Sequence, residues 1–240
     1  MLPRWGLRLQ TRPPVEPSNL IRVIPAIGRI EILGTSVSSS PATASVKPQR
    51  TLSWRVIDIV VASVLGVACG LLFLVWNSVG YAWFLAMDSL TPGFGGIATG
   101  GWLIAGVIGG LVIRKPGAAI YVETLAASVS AALGSQWGIG TLYSGLAQGL
   151  GAEIIFAIFL YKRFNLGVAA LAGLGAGVGA FILELFTSGN LARSLEFNIY
   201  YLIATSISGI VIAGIVGYFL VQALARTGVL DRFAVGREAR

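Results

Sequence analysis

Trp54–Asn77 reads WRVIDIVVASVLGVACGLLFLVWN, and from Ile59 through Trp76 it contains no charged side chain. An apolar run of about 20 residues, rising 1.5 Å per residue, matches the roughly 30 Å hydrocarbon core of a bilayer, so this stretch reads as a transmembrane helix over 55–77. Downstream, further runs of this kind alternate with short polar breaks such as RKPG at 114–117 and YKRFN at 161–165. They predict helices over 97–113, 117–134, 142–161, 166–187 and 198–223, with Pro116 in the first turn of the third, where its missing N–H costs nothing. The expected fold is an all-α membrane protein, a six-transmembrane-helix bundle over 54–225.

Composition supports that class. Of 240 residues, 55% are hydrophobic, only 11% are charged and 32 are glycine. With a mean hydropathy of +0.82, a soluble globule would lack the polar residues to cover its surface. Cys69 is the only cysteine, inside an apolar run, and there is no histidine. A disulfide framework is excluded, and hydrolytic or zinc chemistry is disfavoured. No phosphate-binding loop or dinucleotide fingerprint occurs, so no cofactor is expected and ATP would have to be used by another subunit. The chain is not expected to be an enzyme.

Orientation follows from the basic residues. Arg4, Arg8, Arg12, Arg22, Arg29, Lys47, Arg50 and Arg55 precede the first span or open it, and Arg114, Lys115, Lys162 and Arg163 lie in alternate loops. Arg226, Arg232, Arg237 and Arg240 follow the last span, which leaves Arg193 as the only one of seventeen on the opposite side. The positive-inside rule then places both termini in the cytoplasm, with an even number of spans, and the expected location is the cell membrane. Residues 1–53 are poor in large apolar groups and read as a disordered basic cytoplasmic tail, and 226–240 as a second basic cytoplasmic tail. LPRWGLRLQTRPP has no apolar core for a signal peptide. The chain's surroundings are expected to be lipid, with no nucleic-acid partner.

Within the spans, Ala62, Gly66 and Gly70 form a small-residue stripe on helix 1, and Gly209, Ala213 and Gly217 form another on helix 6. Each can pack inside the bundle or dock a partner, and Ala62, Gly66 and Gly70 are the candidate partner-docking set. Three glutamates sit on small-residue faces at helical spacing: Glu123 with Ala119 and Ala127, Glu153 with Gly145 and Gly149, and Glu184 with Ala180, Gly177 and Gly173. A lipid-facing carboxylate would cost several kcal/mol, so all three are expected to point inward, towards a ligand or a structural hydrogen bond. Trp76, Asn77, Gln136, Trp137 and Gln148 collect towards the outer ends, where they can stack on and hydrogen-bond a flat heteroaromatic ring; an interfacial aromatic belt is the alternative. The candidate binding set is Trp76, Asn77, Glu123, Gln136, Trp137, Gln148, Glu153 and Glu184.

Three blocks go further: WRVIDIVVASVLGVACGLLFLVWN, GLVIRKPGAAIYVETLAASVSAALGSQWG (110–138) and GLAQGLGAEIIFAIF (145–159). Together they closely resemble the YkoE family, and the resemblance covers roughly 54–225. That family comprises substrate-binding S components of energy-coupling-factor (ECF) vitamin transporters, associated with thiamin and its hydroxymethylpyrimidine (HMP) precursor. The resemblance implies a six-helix bundle with an outward pocket, and as partners a transmembrane coupling (T) subunit and cytoplasmic ABC-type ATPase subunits. It implies a small-molecule vitamin as ligand, whose aminopyrimidine edge would suit Gln148, Gln136, Asn77 or a glutamate, and whose thiazolium would suit Glu184, Glu153 or a tryptophan face. Riboflavin or biotin as the ligand, or a membrane scaffold without transport, are the competing readings.

Overall fold

The computed structural model describes residues 52–238; the expected tail over 1–53 therefore lies almost wholly outside the described residues. Helix α1 spans Val56–Leu90. Its 35 residues reach about 52 Å at 1.5 Å per residue. The expected end at Asn77 is a correction: the helix runs on because nothing from Asn77 to Ser89 breaks it, and the turn comes only at Thr91 and Pro92. Asn77 caps no backbone. It is buried and bonded to side chains of the two neighbouring helices.

Helix α2, Phe94–Ile113, is the hub of the bundle, with 78% of its apolar window buried against 28–39% in the other long helices. It begins as tight 3-10 turns over Phe94–Trp102 and becomes α-helical from Ile104. Helix α3, Ala118–Ala132, packs between α1 and α4 (Gly140–Ile158). Helices α5 (Leu166–Thr187) and α6 (Leu195–Arg226) complete the bundle, α6 relaxing into wider π turns over Gly209–Val216. Five of these helices are long and apolar enough to cross a membrane; α3, at 15 residues, is the shorter one.

Glycine sets how closely the helices approach. A Cβ on Gly151 would strike the carbonyl of Gly175, so α4 and α5 meet backbone to backbone; Gly173 and Gly209 do the same for α5 and α6. The Ala62–Gly66–Gly70 stripe is likewise consumed inside the bundle. A Cβ on Gly66 would lie 2.8 Å from Leu125 Cδ2, and one on Gly70 would lie 2.6 Å from Val129 Cβ. The docking role expected for that stripe is corrected accordingly: α3 occupies the face.

The helices begin and end alternately at two ends of the bundle. At one, Lys115 Nζ lies 2.5 Å from the buried Asp58 carboxylate, which also holds Arg55, and Trp54 donates to the Pro116 carbonyl. The Arg55–Asp58 ion pair raises the affinity of that guanidinium for its proton. Residues after Arg226 fold back onto this end: Leu230, Phe233 and Val235 are buried, and Glu238 in α7 (Ala234–Glu238) pairs with Arg114 at 2.7 Å. The opposite end carries Trp137 and Arg193 and holds the cavity described next.

Candidate functional site

A cavity of about 440 Å³ opens at the Trp137 end, within the size range of small-molecule sites. Helix α1 lines one wall with Phe73, Asn77, Tyr81, Phe84 and Asp88, a three-to-four-residue repeat along one face. From α2 come Thr99 and Trp102, from α4 Thr141, Ser144 and Gln148, from α5 Ala180, Glu184 and Thr187, and from the α5–α6 connection and α6 Arg193, Phe197 and Tyr201.

Aromatic rings form a continuous belt around this space. Trp102 meets Trp137 edge to face at 5.6 Å, Trp137 meets Tyr81 at 5.3 Å, Tyr81 stacks on Phe84, Phe84 abuts Tyr201, and Tyr201 stacks on Phe197 at 5.8 Å. Such pairs prefer these offset and edge-on geometries, which fix each ring by its neighbour and leave a preformed apolar slot. Arg193 lies exposed, its guanidinium 4.7 Å from the Phe197 ring centroid.

Hydrogen-bond accounting separates the polar groups that serve the fold from those open to a ligand. Asn77 is committed: its Oδ1 accepts from Trp102 Nε1 at 2.9 Å and its Nδ2 donates to Ser130 Oγ at 3.0 Å. Thr99 donates to the Gly96 carbonyl, and Asp88 accepts from the Gly93 amide at 2.7 Å as the chain turns out of α1. Glu184 accepts a hydrogen bond from Tyr201, its second oxygen remaining available. Gln148 is 7% exposed and makes no hydrogen bond to another described residue, although an amide carries two donors and an acceptor.

The structure thus brings Asn77, Trp137, Gln148 and Glu184 to one cavity and leaves the other four candidates outside it. Trp76 is turned to α2, its indole donating to the Ala98 carbonyl at 3.0 Å and its ring bracing Trp102. Gln136 is exposed on the turn between α3 and α4. Glu123 is wholly buried and accepts the Gly106 amide at 2.5 Å. Glu153 lies at the Arg114 end, accepting the Gly117 and Ala119 amides at 2.7 and 2.9 Å and the Tyr161 hydroxyl at 2.7 Å. Burial, and then that hydrogen bond to Glu153, raise the Tyr161 hydroxyl well above its usual proton affinity. The reason for both displacements is the same: each carboxylate satisfies backbone donors at a helix start that has no side-chain cap of its own.

Sequence reading missed Tyr81, Phe84 and Asp88 because it ended α1 at Asn77; the repeat Phe73, Asn77, Tyr81, Phe84, Asp88 was the available signal. Trp102 and Tyr201 carried no local signal, since both sit in ordinary apolar helix sequence.

Three comparisons bear on this arrangement. Residues 57–179 match the family described as ABC-type cobalt transport system, permease component. A Bacillus subtilis protein provisionally named HMP/thiamine permease protein YkoE is 38% identical over 192 residues, 78% of this chain and 93% of that protein. A crystal structure of an S-component of an ECF transporter superposes with a TM-score of 0.66 at 35% identity, over 78% of this chain and 93% of the other. A helical bundle with this fold and a cavity at one end is the multi-pass membrane architecture of an ECF S component, a class that works with T and ATPase subunits and is not itself an enzyme. The chain belongs to the YkoE family of such components.

Proposed function

We propose that this chain is the substrate-binding subunit of an ATP-driven ECF vitamin uptake system, taking up thiamin or HMP from outside the cell. The observation that carries the reading is a chain of aromatic rings lining the same cavity as a buried amide, Gln148, that bonds to no other described residue. Flat rings with a donor–acceptor edge satisfy both features at once. The donor set suits an organic heterocycle better than a metal ion: the chain has no histidine, and among the described residues no three Cys, Asp or Glu side chains converge.

In this reading the six helices α1–α6 span the membrane, both termini are cytoplasmic and the cavity faces outward. Support comes from the basic residues, since among the described residues Arg193 is the one basic side chain that lines the cavity. The chain carries no cofactor, and ATP is consumed by the ATPase subunits, coupled through the T subunit. Titrating the detergent-purified protein with thiamin, HMP, riboflavin and biotin while following tryptophan fluorescence tests this, because Trp102 and Trp137 border the cavity. Quenching by thiamin or HMP, and not by riboflavin or biotin, is the expected result; a response confined to either of the latter would reassign the ligand.

A further inference from the structure

Resting on that reading, we infer that the cavity recognises its ligand in two tiers, Gln148 reading the pyrimidine edge at depth and Glu184 above it reading positive charge, so that Glu184 sets the preference for thiamin over HMP. The tiers follow from helix register. Helices α4 and α5 are antiparallel and pressed together, and a Cβ on Gly179 would come within 3.6 Å of Gln148 Cα, so Gln148 stands level with Gly179. Glu184 lies five residues further along α5, about 7 Å closer to the mouth. Thiamin is two rings joined by a single methylene carbon, an aminopyrimidine and a permanently cationic thiazolium. Its rings are therefore spaced like the two groups.

Charge in the cavity is distributed to match. Its acidic lining groups are Glu184, which accepts from the Tyr201 hydroxyl, and Asp88. The basic one is Arg193, drawn aside over the Phe197 ring at the exposed rim. The group set against Glu184 from the opposing helix α6 is the Tyr201 hydroxyl, which does not neutralise a carboxylate. A thiazolium held against the Tyr201–Phe84 wall gains both the carboxylate and the ring faces. HMP has no cation and gains neither.

The test is a pair of titrations on the purified full-length chain. Glu184→Gln, which keeps a partner for Tyr201, should weaken thiamin at least tenfold and HMP less than threefold, while Gln148→Ala weakens both. Equal weakening of the two ligands by Glu184→Gln, or of neither, overturns the assignment. A ligand-side arm needs no substitution: thiamin with its thiazolium replaced by an uncharged thiophene should bind the parent at least tenfold more weakly than thiamin itself, and equal binding overturns the proposal. A parent chain that binds neither thiamin nor HMP would instead defeat the functional reading, and this inference with it.

Discussion

Asn77→Leu separates a ligand contact from a strut. The side chain joins three helices, accepting from Trp102 on α2 and donating to Ser130 on α3, and is 9% exposed. Leucine keeps the number and branching of the heavy atoms while removing both hydrogen bonds, and its larger volume adds an overpacking cost of the same sign. Bonds between membrane helices average about 0.6 kcal/mol and reach about 1.7, so losing two should destabilise the bundle by about 1 to 3 kcal/mol. Ligand affinity should fall only about three- to tenfold, because Trp102 loses its tether but keeps its edge-to-face contacts with Trp76 and Trp137. Denaturant titration followed by circular dichroism gives the first quantity and calorimetric titration with thiamin the second. A cycle with Ser130→Ala should return a coupling of about 0.5 to 1.5 kcal/mol. The reasoning is refuted if Asn77→Leu unfolds at the parent's denaturant concentration yet loses more than a hundredfold in affinity, for then the amide touches ligand directly.

Three further outcomes are expected. Glu153→Gln should destabilise the fold by about 1 to 3 kcal/mol, through the weakened bonds to the Gly117 and Ala119 amides, and leave thiamin binding within twofold of the parent; a tenfold loss of affinity would return Glu153 to the pocket. Gly66→Leu should cost about 1 to 3 kcal/mol or more by forcing α1 off Leu125, seen as a loss of monodisperse protein, whereas a stable variant that no longer co-purifies with the T subunit would restore the stripe as a docking face. A cysteine replacing Ser188 should react with an impermeant reagent outside intact cells and one replacing Asn165 should not, since these residues flank α5 at its two ends; the opposite pattern would invert the proposed topology.

The helices were legible because their signal is long-range and redundant: apolar runs of bilayer length survive errors at any one position, and the limits of α5 coincide with the 166–187 expected from them. What sequence hid depends on side-chain partners. Asn77 looks like a helix stop only while its neighbours are unknown; with Trp102 and Ser130 beside it, the amide is satisfied and α1 continues. Likewise Gln148 and Gln136 are the same residue type near the same end, and only the rotation of α4 and the exposure of the α3–α4 turn tell the lining amide from the exposed one.

The three intramembrane glutamates show what decides such cases. All point inward, as the cost of a lipid-facing carboxylate requires, but inward is not a function. Helix α2's regular portion starts after Leu103 and α3 after Gly117, neither of which supplies a side-chain cap. Their first amides would be left without partners as the helices pack together, and an unmet buried donor costs about 1 to 3 kcal/mol. Glu123 and Glu153 meet those donors from across the bundle, with the positive end of the helix dipole adding to the attraction. By contrast α5 and α6 begin with their own caps, Asn165 and Ser194. Among the described residues no helix-start amide is bonded to Glu184, which sits near the end of α5, accepting from the Tyr201 hydroxyl and lining the cavity. The carboxylate that no helix start requires is the one that lines the cavity.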